Sequence, residues 1–279
     1  MHECVRLMRE TFAALRSGSA QNQVRRRMFL PTGTVLHSMA GAFGKYLGTK
    51  VYAANPKHGA YFYFLLFDAE TARPLACMEA NHLGQIRTGA ASGYATDVLA
   101  RSDASVLAII GSGFQARTQL EAMRTVRNLK DVRVWSRSEE KRREFAAQTG
   151  ARATASAGEA VRGADIVVTA TWAKDPVIEA AWISKGTHIN AMGSNQPQRR
   201  ELPSDLMAMA DLIAVDSIEG AKVESGDLLL APVDWNDPRI VDLAKLGRRP
   251  EGNPITIFKS NGLGVEDVAA AAYVYERLS

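Results

Sequence analysis

The stretch Ala108-Ile109-Ile110-Gly111-Ser112-Gly113-Phe114-Gln115-Ala116 decides the fold. It reads as a buried strand, a glycine turn and the start of a helix. The strand side begins at Ser105-Val106-Leu107, and the helix side runs through Thr118, Leu120, Ala122 and Met123. In that setting the G-x-G-x-x-A spacing predicts a dinucleotide site. Gly111 permits the tight turn, Gly113 lets the backbone approach a pyrophosphate, and Ala116 is small enough for close helix–strand packing. The helix N-terminus attracts the phosphate charge.

Downstream, strands and helices alternate. Val132–Trp135 reads as a strand, Glu139–Thr149 as a charged helix closed by Gly150, and Ala164–Ala170 as a buried strand. Gly186–Met192, Leu212–Asp216 and Ile255–Phe258 read as further strands, and residues 265–277 as a helix. Such alternation predicts a parallel sheet with helices on both faces. Upstream the pattern differs. Val5, Met8, Phe12 and Leu15 form one helical stripe. Short strands follow at Thr34–Met39, Thr49–Ala53, Ala60–Asp68 and Pro74–Glu79, a hairpin-rich antiparallel region, and then a helix over 89–101. The predicted fold class is α/β: a Rossmann-type parallel-sheet domain, residues 102–258, inserted into a discontinuous antiparallel α/β domain, residues 1–101 plus 259–279.

Hydrophobic residues make up 46% of the 279, so a sizeable core is expected and general disorder is not. The net charge of +4 is modest, and the clusters Arg25-Arg26-Arg27 and Lys141-Arg142-Arg143 lack interleaved aromatics, so nucleic acid is not an expected partner. Two cysteines, Cys4 and Cys77, cannot build a disulfide framework or a zinc cluster, which fits a reducing compartment. His37, His58 and His82 lack metal-ligand spacing, so no metal is expected. No apolar run reaches membrane-spanning length and no signal-peptide core is evident, so a cytoplasmic protein is expected. His188 reads as a buried strand residue with a local hydrogen bond. Arg25 and Arg26 read as solvated surface.

The chain resembles the ornithine cyclodeaminase/mu-crystallin family. The resemblance rests on Arg87-Thr88-Gly89-Ala90-Ala91-Ser92, the glycine turn, His188–Ser194, Pro197 with Arg200-Glu201-Leu202, Val215-Asp216-Ser217, Glu224-Ser225-Gly226-Asp227, and Phe258–Gly262 leading to Glu266-Asp267. It implies a central nicotinamide-cofactor domain and an outer domain that binds substrate and builds a homodimer; the apolar strand Tyr61–Phe67 is the expected dimer element. It implies cofactor contacts from Thr88, Gly111, Gly113, Phe114, Gln115, Ala116, Ser136, Arg137, Ser138, Ala170, Thr171, Met192, Gly193 and Ser260. An acid at the end of the second strand normally holds a free adenosine ribose. Here that strand ends Trp135-Ser136-Arg137-Ser138, which predicts recognition of a 2′-phosphate by charge-assisted hydrogen bonds. NADP(H) is expected to be preferred, with NAD(H) possible.

The resemblance also places Arg27, Lys50 and Arg87 at substrate-binding positions, where the two arginines suit bidentate carboxylate recognition. Asp234, after Gly226-Asp227 and Pro232, stands in register with a cyclodeaminase aspartate. It is the expected proton shuttle, provided burial raises its pKa, with Asp227 as runner-up and turn formation as its bland alternative. Lys50 is the second catalytic candidate. The chain departs from the family in beginning later, in a shorter segment over Asn55–Ala60, and in carrying Gly84 where threonine is usual. The substrate pocket is therefore the part least carried over. The expected activity is that of an NAD(P)H-dependent oxidoreductase acting on a small imino or amino acid, as imine reductase or amino-acid dehydrogenase. The alternatives are a redox-neutral cyclodeaminase releasing ammonia and a non-enzymatic, NADPH-dependent small-ligand binder.

Overall fold

The computed structural model describes residues 1–278 and divides them into two compact units. Residues 3–88 and 262 onward form one, residues 1–2 and 89–261 the other. Ser279, the last residue of the expected outer domain, lies outside the described residues.

The first unit begins with helix α1 (His2–Ser17), which buries Val5, Met8 and Phe12 of the predicted stripe and leaves Leu15 half-buried. The strands are β1 (Gln21–Asn22), β2 (Arg26–Phe29), β3 (Val35–Phe43), β4 (Tyr46–Asn55), β5 (Gly59–Asp68) and β6 (Pro74–Glu79). They form one antiparallel sheet in the order β1-β3-β4-β5-β6, with β2 also pairing β3. Strand alternation sends Lys50, Tyr52, Phe64 and Leu66 to the buried face, while Tyr61, Tyr63 and Leu65 stay exposed. Helix α2 (Asn81–Leu99) crosses from this unit into the other.

The second unit contains β7 (Val106–Ile110), α3 (Phe114–Val126), β8 (Asp131–Trp135), α4 (Glu139–Thr149), β9 (Arg152–Ala153), α5 (Ala157–Val161), β10 (Ile166–Thr169) and β11 (His188–Ala191). It continues with α6 (Ser204–Met209), β12 (Leu212–Val215), α7 (Ile218–Glu224), α8 (Gly226–Leu229), β13 (Ile240–Asp242) and β14 (Thr256–Lys259). These strands are all parallel, in the order β13-β12-β14-β11-β10-β7-β8-β9. Alternate residues build two cores. Ala108, Ile110 and Val167 face one with Leu206 and Leu228, and Leu107, Ile109 and Val168 face the other with Leu120, Met123 and Phe145. From β7 the sheet grows outward through β8 and β9, then restarts on the other side at β10. That reversal makes the β7–β10 gap the topological switch point, where ligands of such sheets bind.

The chain returns to the first unit through helix α9 (Gly264–Leu278), which packs across β3, β4 and β5 and seals their core with Val268, Ala271 and Ala272. The inserted-domain topology was expected. Several details differ, among them the short strands β1 and β2, which were not expected. The units divide at Gly89 and Asn261 rather than at 101 and 259, because α2 packs against α3 so closely that a Cβ on Gly89 would lie 2.6 Å from the Thr118 carbonyl oxygen. Helix α2 starts eight residues before the predicted 89. The edge strands β9 and β13 were not anticipated, being two and three residues long.

The seating of α9 is backbone on backbone: a Cβ on Gly41 would lie 2.6 Å from the Val265 nitrogen. Gly41→Ala should therefore destabilise the protein by about 1–3 kcal/mol, the cost of overpacking a site that cannot yield. Gly247→Ala, where the structure leaves open space, should stay within about 0.5 kcal/mol. Thermal melts of the two variants check this, and equal midpoints would contradict the close approach.

Candidate functional site

In the parallel-sheet unit the glycine turn has the geometry its sequence predicts. Gly111 has φ +117°, and a Cβ there would lie 2.4 Å from the Ala170 carbonyl oxygen. Its N–H donates to the Trp135 carbonyl (2.8 Å), so the turn continues the ladder between β7 and β8. Gly113 is the N-cap of α3, and a Cβ there would meet nothing within 4 Å. Ala116 is fully buried, as close helix–strand packing requires.

Helices α4, α5 and α7 are capped by the hydroxyls of Ser138, Ser156 and Ser217, whereas α3 has no side-chain cap. Phe114, its first residue, is exposed, and the buried Oε1 of Gln115 has no protein partner. Open space at Gly113 and an α3 N-terminus without a side-chain cap fit a dinucleotide pyrophosphate.

At the end of β8, Ser112 Oγ donates to Ser136 Oγ (2.9 Å), and Ser136 Oγ donates to the Ser138 carbonyl (3.0 Å). Ser138 Oγ accepts from the Lys141 N–H (3.3 Å), and Arg142 donates to the Ser136 carbonyl (2.9 Å). The serines thus shape the turn, and Arg137 is its exposed cation. None of residues 136–138 carries a carboxylate. On the far side of the switch point, Ala170 N–H donates to the Ile110 carbonyl (2.8 Å) and Met192 N–H to the Thr169 carbonyl (3.1 Å). Ser260, just past β14, is buried and donates its N–H to the Ala191 carbonyl (3.0 Å). The expected cofactor residues of this unit therefore gather at the C-terminal strand ends. Thr88 belongs to the other unit, where its hydroxyl donates to the Gly84 carbonyl (2.7 Å).

Within the parallel-sheet unit, one expected residue lacks the burial on which its reading depended. Asp234 is exposed, and its Oδ1 accepts from Asn236 N–H (2.9 Å) and Nδ2 (3.2 Å). It makes the turn, and the burial that a proton shuttle needs is missing. Asp227, the runner-up, is fully buried, accepting from the Glu201 and Leu202 N–H groups and pairing with Lys259 Nζ at 3.0 Å. His188 is buried as expected, its Nδ1 2.9 Å from Thr256 Oγ1, and burial pushes it down to about 3.

In the antiparallel unit, Lys50 and Arg87 lie on a buried face. Lys50 Nζ sits 2.6 Å from Asp267 Oδ2, and both side chains are at most 4% exposed. Arg87 forks between Glu266 Oε2 (2.8 Å) and Asp267 Oδ1 (3.0 Å). Only a glycine fits at 262, because a Cβ there would lie 2.7 Å from an Arg87 guanidinium nitrogen. Burial pushes the Lys50 ammonium down to about 8, the Arg87 charge pushes the same way, and Asp267 opposes both. Burial alone would raise Asp267, but the charges of Arg87 and Lys50 outweigh it and keep the carboxyl low. The loosely held proton of the cluster is therefore that of Lys50.

Arg27 pairs directly with His37 across β2 and β3, and is half-buried. Arg25 is a correction. It is buried rather than solvated, donating to Tyr52 Oη (2.9 Å) and to the Gly262 carbonyl (3.3 Å). Alternation carried the signal, since Arg25 and Arg27 share a strand face and Arg26 does not. His37, stacked on Tyr52 at 4.1 Å, was also missed as part of this face. Burial and the charges of Arg25 and Arg27 push it down to about 3, so it is a neutral ring. Glu266 and Asp267 were legible as a motif but not as partners of the cations. No group of three or more metal-ligating side chains and no membrane-length apolar helix occurs among the described residues.

Known proteins resemble this chain along most of its length. A Δ1-pyrroline-2-carboxylate reductase of Bacillus cereus is 41% identical over 228 residues, covering 76% of this chain and 70% of the relative. A solved structure of the Thermococcus litoralis Δ1-pyrroline-2-carboxylate reductase, in complex with NADH and L-proline, superposes with TM-score 0.91 at 33% identity, over 99% of this chain and 92% of that one. An archaeal alanine dehydrogenase, a dimer with bound NAD, superposes with TM-score 0.92 at 33% identity, over 98% and 90% of the two chains. The model of the ornithine cyclodeaminase/mu-crystallin family matches residues 1–279, and with it the glycine turn, the uncapped α3 and the Lys50–Asp267–Arg87 cluster find their context: the chain belongs to that family.

Proposed function

We propose that the protein is an NAD(P)H-dependent reductase of a small imino acid, able to run in reverse as an amino-acid dehydrogenase. The observation that carries this reading is the buried Lys50–Asp267–Arg87 cluster, in a chain whose other unit holds a dinucleotide cradle. The names of the relatives, an imino-acid reductase among them, support it. When bound, the reduced nicotinamide supplies the hydride. The chain's own residues do the rest. Arg27 and Arg87 hold the substrate carboxylate, with Arg25 reinforcing the positive face. Asp267 aims the Lys50 ammonium, which delivers its proton to the imine nitrogen as the carbon accepts hydride, leaving an amine. Lys50 recovers a proton from water.

Lys50 must be protonated to act, and its proton is lost as pH rises through about 8. For reduction of Δ1-pyrroline-2-carboxylate, kcat/KM should be level below that pH and fall about tenfold per unit above it, since this ratio reports the free enzyme's acid. Lys50→Met should lose about 10²–10⁴-fold in turnover, while Asp234→Asn should stay within a few-fold of the parent. A level alkaline profile, or normal turnover by Lys50→Met, sinks the assignment.

For the cofactor we propose NADPH over NADH, because β8 ends in Ser136-Arg137-Ser138 with no acid. Arg137→Asp should weaken NADPH by about 1–3 kcal/mol, the range for a charged hydrogen bond, and leave NADH nearly unchanged. Gly113→Ala should fold normally, since its Cβ meets open space, and yet bind either cofactor about tenfold or more weakly. Fluorescence titration checks both variants. Equal or tighter NADH binding by the parent refutes the preference, and normal binding by Gly113→Ala refutes the placement at the turn.

We further propose a homodimer through the outer face of the antiparallel sheet. Tyr61 (70% exposed) and Tyr63 (55%) lie on it with Met28, Leu36 and Leu65, an exposed apolar group of the kind that marks interaction surfaces. Light scattering at micromolar concentration should give twice the chain mass, and Tyr63→Glu should shift the population to monomer. A monomeric parent protein contradicts this.

A further inference from the structure

One carboxylate fastens together the two loops that follow β10 and β11. Glu201 is fully buried. Its Oε1 accepts from Thr171 N–H (2.7 Å) and Thr171 Oγ1 (2.7 Å). Its Oε2 accepts from Gly193 N–H (2.7 Å) and Thr169 Oγ1 (2.9 Å). The loops themselves touch through backbone, since a Cβ on Gly193 would lie 2.2 Å from the Thr171 carbonyl oxygen. Glu201 is held in turn. Its own N–H and that of Leu202 donate to Asp227 Oδ1 (2.7 and 2.9 Å), and Asp227 Oδ2 pairs with Lys259 Nζ (3.0 Å). Lys259 Nζ also donates to the Ser194 carbonyl, one residue past Gly193.

Burial and the nearby Asp227 push the Glu201 carboxyl up, outweighing Lys259 and the Thr171 donors. The hydrogen-bond geometry favours the ionised form. Each oxygen faces a backbone N–H, which can only donate, so a proton on either oxygen would oppose a donor. Packing alone could join two loops with apolar side chains at less desolvation cost. What the carboxylate adds is direction, because four short bonds fix both loops in distance and tilt.

We propose that Glu201 is a positioning residue of the cofactor site, setting through Thr171 and Gly193 the seat of the nicotinamide half of the dinucleotide. This rests on the cofactor placement proposed above. In sheets of this kind the adenosine half belongs to the side of the glycine turn and the next strand, and the nicotinamide half to the strands beyond the switch point. Here those strands are β10 and β11.

The test compares NADPH with 2′-phospho-ADP-ribose, which keeps the adenosine half and the pyrophosphate but lacks nicotinamide. Glu201→Gln preserves shape while turning an NH₂ toward one of the backbone donors. It should weaken NADPH about tenfold or more, the fold-change for a lost charged hydrogen bond. It should leave 2′-phospho-ADP-ribose nearly unchanged, and return the emission of bound NADPH toward that of the free cofactor. Equal loss of both ligands, or loss of neither, overturns the proposal. Should Glu201→Gln fail to fold, Thr171→Val, which removes one hydroxyl donor at nearly constant volume, decides instead: a smaller loss confined to NADPH supports the clamp, and an equal loss of both overturns it. Gly113→Ala tests the placement by itself. Weakened binding there together with equal losses in Glu201→Gln overturns the clamp and leaves the placement standing.

Discussion

The antiparallel unit depends on a buried ion cluster that joins segments far apart in the chain. Lys50 lies in β4, Arg87 in α2, and Glu266 and Asp267 on α9. Everything between Thr88 and Gly262 belongs to the other unit, so these contacts close the sheet across the whole insertion. Removing one partner would strand a desolvated charge, which costs several times what an exposed pair is worth. A cheaper apolar joint was available, and α9 uses one along Val268, Ala271 and Ala272. The charged end of the helix is costlier, and it leaves Lys50 pushed down to about 8, a stronger acid than an exposed lysine.

The parallel-sheet unit is built on a different principle. Its means are backbone. Gly111 lets two strand ends approach, Gly113 leaves room beside α3, and the helix starts without a side-chain cap. Side chains enter where a shape must be held, as the serines do at the end of β8 and Glu201 does past β10 and β11. The two units are thus built differently, one around backbone turns and the other around a buried ion cluster.

Much of this was readable from the residues. Local pattern specifies local structure, so the strand–turn–helix at Ala108–Ala116, the buried strands and the α1 stripe emerged as predicted. What failed has a common physical origin. The helix expected from residue 89 begins at Asn81, and the glycine at 89 lies inside it, where close packing on α3 leaves no room for a Cβ. Asp234 had the spacing of a catalytic acid, but spacing does not confer burial, and its neighbour Asn236 claims it for a turn. Arg25 read, with Arg26, as solvated surface, yet its side chain is buried against Tyr52 and the Gly262 carbonyl. The partners of Lys50 and Arg87 lie beyond an entire inserted unit, and no window of sequence contains both halves of such a cluster.

The same insertion bears on how the chain is made. The six antiparallel strands emerge first in synthesis, and α9, which covers them, emerges only after all of residues 89–261. Until then the inner face of Phe64 and Leu66 has no lid, and Lys50 has no counter-ion. The parallel unit, assembled from a single continuous stretch, can complete its sheet while its neighbour waits. Such delayed, sequence-distant closure slows folding and leaves sheet surface open to wrong partners. The nascent sheet is therefore the part of this protein most in need of protection by a chaperone, and the arrival of α9 is the event that ends that need.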